Sequence, residues 1–134
     1  MGYTCRVTCT RLLLADDDSK FLRFVSELLI GAGYDVHCTS DSGRVLEMAE
    51  ALKPALVILD IAMPGKDGFQ VARDLRANPQ TKGVRCMFLT AHRASTHVKS
   101  AREVGGIAYL EKPFQSSSLL WMVKAVLSKG GRRC

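Results

Sequence analysis

Acidic, hydroxyl and amine groups stand at the ends of apolar runs throughout this sequence. Asp60 closes the run Leu56-Val57-Ile58-Leu59, and Asp16, Asp17 and Asp18 close Leu12-Leu13-Leu14-Ala15. Thr90 follows a run ending at Leu89, and Lys112 follows one ending at Leu110 and Glu111. A charge at the end of a buried run is costly unless something uses it. In open α/β sheets the carboxyl ends of parallel strands line the ligand crevice, so these groups are expected to converge at one edge. Asp16, Asp17 and Asp60 packed there repel one another, and a hard cation among them makes the arrangement favourable. Mg²⁺ suits it, since it takes one or two carboxylates with waters and phosphate oxygens. Lys112 and Thr90 opposite the metal can hold two further oxygens of a phosphoryl group. The set fits in-line phosphoryl transfer to a carboxylate, in which catalysis is mainly positioning and charge neutralisation.

The pattern around these residues alternates strands and helices. Residues 12–15, 34–39, 56–60, 85–89 and 107–110 read as five strands; the four branched or long apolar residues before Asp60 suit a strand buried on both faces. Ser19 is the expected N-cap of a first helix carrying Phe21, Phe24, Val25, Leu28 and Leu29 inward, stopped by Gly31 and Gly33. A second helix places Val45, Met48, Ala49 and Leu52 on one face and ends at Lys53-Pro54. A third, over 69–77, turns Val71, Ala72 and Leu75 inward and is broken by Asn78-Pro79. Residues 95–104 read as a fourth helix and 116–128 as a fifth. Five strands alternating with five helices predict a doubly wound parallel α/β sheet. Residues 3–10 alternate in the period-2 pattern of a half-buried strand and are either an extension of the first strand or a loose tail.

Composition permits such a domain. A chain of 134 residues, 47% hydrophobic and 24% charged, makes one domain with a single core, which excludes the disordered class. The apolar runs are far short of the ~20 residues a membrane helix needs, and no secretory pattern opens the chain, so a cytoplasmic protein is expected. The five cysteines (Cys5, Cys9, Cys38, Cys86 and Cys134) are odd in number and lack metal-ligand spacing. They read as free thiols, with Cys38 and Cys86 as small buried hydrophobes. The formal charge of +6 is not a compact basic block. Arg93, Lys99, Arg102, Lys112, Lys124, Lys129, Arg132 and Arg133 bias the C-terminal third toward an acidic partner surface or leave it a solvated basic face.

The chain resembles a receiver domain of two-component response regulators. The resemblance is carried by Leu13-Leu14-Ala15-Asp16-Asp17-Asp18, by Val57-Ile58-Leu59-Asp60 with Met63-Pro64-Gly65-Lys66-Asp67-Gly68, by Leu89-Thr90-Ala91, and by Gly105 through Tyr109-Leu110-Glu111-Lys112-Pro113-Phe114. It implies a flavodoxin-like sheet with strand order 2-1-3-4-5. It implies that Asp60 accepts a phosphoryl group from a phosphohistidine on a sensor histidine kinase or histidine phosphotransfer protein. It further implies Mg²⁺ held by Asp17, Asp60 and the main-chain carbonyl of Ala62, and by Asp16 through water. Thr90 and Lys112 would contact phosphoryl oxygens, and Tyr109 would be the switch aromatic that turns inward when Thr90 moves. Such a domain is a signalling phosphoacceptor with self-catalysed phosphorylation and dephosphorylation rather than an enzyme.

Outside that set, Asp18 reads as a charge complementing a helix N-terminus, Lys66 and Asp67 as turn residues, and Gly68 as a source of backbone freedom. Ala62 and His92 border the path of a water attacking the phosphoryl group. Ala62 cannot hold that water, whereas the imidazole can shield or orient it. On the last helix Leu119, Met122, Val123, Val126 and Leu127 share a face, which points Trp121 toward solvent. Trp121 is either part of a surface on the fourth helix, fifth strand and fifth helix that meets a downstream protein or a second copy, or a side chain folded over a neighbouring loop.

Two rivals belong beside this reading. Asp16-Asp17-Asp18 also resembles the nucleophile motif of haloacid-dehalogenase-like phosphatases, with Asp16 attacking; Lys20 stands where that motif wants Thr or Val, and Asp60 is left unused. A receiver-shaped binding module that is never phosphorylated is the second, although no phosphorylation residue is missing. The domain is expected over 11–128, with 1–10 an N-terminal extension and 129–134 a tail or the start of a linker. Neither nucleic acid nor membrane is an expected direct partner of this domain, and no DNA-binding or enzymatic domain is read after residue 128. The chain reads as a stand-alone receiver or as a piece of a longer regulator or hybrid kinase.

Overall fold

The two apolar runs that end on aspartate lie side by side. In the computed structural model, which describes residues 10–90, 106–112 and 114–129, β1 (Arg11–Ala15) pairs with β3 (Leu56–Asp60) in parallel, with Leu14 opposite Ile58 and Ala15 opposite Leu59. β2 (Asp35–Thr39) lies on the other side of β1, and β4 (Arg85–Thr90) and β5 (Gly106–Glu111) continue beyond β3. All pairings are parallel, and the order is β2-β1-β3-β4-β5, as expected. The order reverses between β1 and β3, so their chains leave in opposite directions and a crevice opens at their carboxyl ends.

Strand pleat explains why β3 has no polar residue before Asp60. Leu13, Ala15, Val57, Leu59 and Phe88 project to one face and join Val45, Ala49, Val71, Ala72 and Leu75 from α2 (Val45–Leu52) and α3 (Gly68–Ala77). Leu12, Leu14, Leu56, Ile58, Met87 and Leu89 project to the other and meet Leu22, Val25 and Leu29 of α1 (Ser19–Gly31) and Leu119, Val123 and Val126 of α4 (Ser116–Lys129). Both faces are covered, so each side chain is removed from water, worth about 1.5–3 kcal/mol apiece before the entropy of ordering is counted. Replacing central Leu59 by Ala would cost about 2–5 kcal/mol.

Several local expectations change in the folded chain. The cap of α1 is Asp18, not Ser19: the Asp18 carboxylate accepts from the Lys20 and Phe21 N–H groups, a charge placed where the helix dipole is positive. The inward stripe of α1 is Leu22, Val25 and Leu29, which leaves Phe24 about half exposed. Cys86, on an inner strand, is buried, but Cys38, on the edge strand β2, is exposed. Lys53 ends α2 in the left-handed region at φ 49°. Four α-helices and a 3₁₀ turn, Ser42–Arg44, are present among the described residues. The helix expected over 95–104, the pattern at 3–9 and the tail at 130–134 lie outside them.

Candidate functional site

Each strand end delivers its polar group to the crevice by a definite local device. Asp16 follows β1 directly; its N–H donates to the Thr39 carbonyl at 3.3 Å, which carries the ladder one residue further. Asp60 is the last residue of β3, and Ile61 continues the ladder by donating to the Leu89 carbonyl at 3.1 Å. Lys112 is the first residue past β5. β4 ends at Thr90 on the neighbouring strand, so its backbone reaches the same edge; the side chains of Thr90 and Tyr109 and all of His92 lie outside the described residues.

Asp16, Asp17 and Asp60 each offer a carboxylate oxygen within 4.8 Å of the others. Asp16 and Asp60 are buried, while Asp17 faces solvent. At such a separation each pair of charges repels by on the order of 3 kcal/mol in a protein-like dielectric. Lys112 offsets part of this. Its Nζ lies 2.9 Å from Asp16 Oδ2 and 3.7 Å from Asp60 Oδ1. Asp16 is the more committed of the two acids, since its Oδ1 also accepts from the Asp18 N–H at 2.9 Å. Asp60 is held less closely by Lys112, at the longer of the two distances, and otherwise by the backbone of Ala62. Burial, first, and then the Asp16 charge push the Asp60 carboxyl up to about 6; Lys112 opposes, Asp17 adds, and a backbone hydrogen bond from Ala62 opposes again.

The loop after Asp60 is held at several points. Gly68 N–H donates to the Ile61 carbonyl at 2.9 Å, and Asp67 caps α3 through the Gln70 N–H. The buried Ser42 hydroxyl donates to the Pro64 carbonyl at 3.1 Å and accepts from the Lys66 N–H at 3.2 Å. Lys66 also pairs with Asp74 at 2.6 Å. Ala62 is exposed between these anchors, next to Asp60. Lys66 and Asp67 are therefore an ion-pair partner and a helix cap as well as turn residues. Gly68 does not supply unusual backbone freedom, since among the described residues the glycines with positive φ are Gly33 and Gly65. A Cβ at Gly68 would stand 2.6 Å from the Asp60 carbonyl oxygen, so it is close approach that requires glycine there.

Two residues near the site escaped the sequence argument. Ser42 looks like a helix-start residue and is a clamp on a distant loop. Phe21 looks like core, yet its ring centre lies 3.9 Å from Lys112 Nζ. The available signal was an aromatic one turn beyond an acidic triplet, which is weak without the fold.

The donor set found together is hard oxygen only, the carboxylates of Asp16, Asp17 and Asp60. It fits a hard divalent cation, since Asp16, Asp17 and Asp60 already lie close enough for one ion to bridge them. Trp121 is 69% exposed and lines a hollow with Leu110, Ser117, Ser118 and Met122, so it is not folded over a described loop. No helix among the described residues is long and apolar enough to cross a membrane.

Residues 12–124 match the family described as "Response regulator receiver domain". The chain is 34% identical over 119 residues to the DNA-binding response regulator MtrA of Mycobacterium tuberculosis H37Rv, covering 89% of this chain and 51% of that protein. It is 32% identical over 120 residues to the transcriptional regulatory protein PdtaR of Mycobacterium tuberculosis CDC 1551, covering 89% and 57%. The chain thus spans about half the length of these curated relatives. Among solved structures, a putative response regulator from Chloroflexus aurantiacus superposes with a TM-score of 0.84 at 31% identity, covering 89% of this chain and 98% of that one. The chemotaxis protein CheY4 of Vibrio cholerae gives 0.83 at 28% identity, covering 87% and 98%.

Proposed function

Because the chain belongs to the family of response regulator receiver domains, we propose that Asp60 is its phosphoacceptor and that Asp17, Asp60 and the Ala62 carbonyl would hold Mg²⁺, with Asp16 reaching it through water. The observation that carries this reading is the unequal hold of Lys112 on the two buried acids: it stands 2.9 Å from Asp16, which also accepts from the Asp18 N–H, and 3.7 Å from Asp60, which makes Asp60 the acid more available to attack. In the transfer, an Asp60 carboxylate oxygen forms a bond to phosphorus as the bond from phosphorus to the donor's imidazole nitrogen breaks. The imidazole leaves and the acyl phosphate remains. Hydrolysis reverses the state, with water attacking phosphorus and the Asp60 carboxylate departing from inorganic phosphate. Bound Mg²⁺ would neutralise charge on the transferring oxygens. Lys112 moves from Asp16 toward those oxygens, with the Thr90 hydroxyl as the second contact and Tyr109 as the aromatic that follows it.

The phosphatase reading with Asp16 as nucleophile fares worse on the same observation, and the family match runs against it. The donor is a sensor histidine kinase or a histidine phosphotransfer protein, and the setting is cytoplasmic. The receiver unit is 11–128. Its output passes through the surface that includes Trp121, to a downstream protein or a second copy. Incubation with acetyl phosphate and Mg²⁺ followed by intact-mass measurement tests the assignment. A single phosphoryl addition that disappears in Asp60→Asn is expected; an addition that survives in Asp60→Asn and is lost in Asp16→Asn overturns it.

A further inference from the structure

Lys112 has a third neighbour with no part in the chemistry so far. Its Nζ sits 3.9 Å from the centre of the Phe21 ring while Asp16 takes it at 2.9 Å and Asp60 lies at 3.7 Å. Phe21 is in the first turn of α1, where its own N–H is bonded to the Asp18 cap. Its place is therefore set by the acidic segment that carries Asp16 and Asp17. The same ring packs edge-to-face on Phe114, two residues beyond Lys112, at 5.9 Å between centres. One side chain of α1 thus touches the segment after β5 at the amine and again just past it.

We propose that Phe21 is a positioning residue for Lys112, its ring face carrying the ammonium group between Asp16 and the phosphoryl oxygens at Asp60. This rests on the phosphoacceptor reading of Asp60. A lysine amine has three donors and a long flexible stem, so reaching one geometry costs rotamer freedom. An aromatic face attracts the cation through its quadrupole yet accepts no strong hydrogen bond, so it restrains Nζ without competing with the oxygens. A carboxylate or hydroxyl in that place would hold the amine too firmly. An aliphatic side chain would fill the space and leave that side of the cation without an attractive partner. The edge-to-face contact with Phe114 fixes the ring's tilt and couples it to the backbone that bears Lys112.

Phe21→Leu keeps apolar bulk and removes the ring, while Phe21→Tyr keeps the ring. In protein labelled at lysine, the Lys112 ε-methylene protons should be shifted upfield by the ring current in the unphosphorylated wild type and in Phe21→Tyr, and should return to ordinary positions in Phe21→Leu. This readout needs no phosphoryl transfer. With acetyl phosphate and Mg²⁺, Phe21→Leu should be phosphorylated about threefold to tenfold more slowly, with Phe21→Tyr near wild type. Thermal unfolding of both variants separates this loss from failure to fold, and the ring-current shift of Lys112 in the wild type remains the deciding readout should Phe21→Leu unfold. An unshifted Lys112 in the wild type, or equal phosphorylation rates in folded Phe21→Leu and Phe21→Tyr, overturns the proposal alone. A wild type that accepts no phosphoryl group overturns the reading of Asp60 and this role with it, even where the ring-current shift is present.

Discussion

Gly68 lies against the main chain of Asp60, with room for a hydrogen and nothing larger. A Cβ there would also come within 3.0 Å of the Ile61 Cα, and both obstacles are backbone, which cannot swing aside. Gly68→Ala must therefore push α3 or the end of β3. The expected cost is about 1–3 kcal/mol in urea unfolding, with slower phosphorylation because the displaced atoms belong to the acceptor itself. Unfolding midpoints equal to wild type would show that α3 yields freely.

Asp60 should make stability depend on pH in a definite direction. Its carboxyl is raised from 3.8 to about 6, chiefly by burial and then by Asp16. The folded chain therefore binds more protons than the unfolded one between those values. Stability falls as pH rises through that window, and the whole penalty is present above about pH 6. In metal-free buffer near neutral pH, Asp60→Asn should be more stable than wild type by up to about 3 kcal/mol, and the gap should close near pH 4. Urea melts at several pH values check this; a gap that does not change with pH contradicts it.

Mg²⁺ should stabilise the wild type by relieving the repulsion among Asp16, Asp17 and Asp60. Asp17→Asn removes the charge and leaves a weaker, neutral oxygen donor, and the affinity should fall by about tenfold or more. Thermal midpoints followed across a Mg²⁺ titration, with chelator as the zero point, give the comparison. An unaltered titration would place the ion elsewhere.

Ser42→Ala leaves the Lys66 N–H and the Pro64 carbonyl without their protein partner in a part-buried place. A loss of about 1–2 kcal/mol in unfolding free energy is expected, whereas Ser26, whose hydroxyl bonds only to the nearby Arg23 carbonyl, should lose little on the same change. Equal losses at the two serines would remove Ser42 as a clamp.

Ala62 offers no side-chain group to hold a water beside Asp60. Ala62→Asn supplies an amide there, and the lifetime of the phosphorylated state should change. Loss of the phosphoryl mass after removal of acetyl phosphate measures it, and identical decay in the two proteins rejects the role.

The sheet was legible because burial on both faces demands unbroken apolar runs, and Leu12 to Ala15 and Leu56 to Leu59 supply them. The acids were legible because a charge closing such a run has few harmless explanations. Cys38 was misread since the pattern of β2 does not reveal that it is an edge strand. Phe24 was misread because an aromatic at helical spacing fits either rim of an apolar stripe, and only the position of α1 on the sheet selects Leu22, Val25 and Leu29.

Sequence alone determined the succession of the described strands and α-helices, the carboxyl-end placement of Asp16, Asp17, Asp60 and Lys112, and thereby the kind of chemistry they suit. These depend on periodicity and on local chain direction, which neighbouring residues encode. Tertiary structure decided how those groups share their contacts: Lys112 resting on Asp16 and over Phe21, Ser42 gripping a loop more than twenty positions away, Gly68 pressed on Asp60. Most of these relations join residues far apart in the chain at separations of a few ångströms, and only the packing of helices against the sheet sets distances that short.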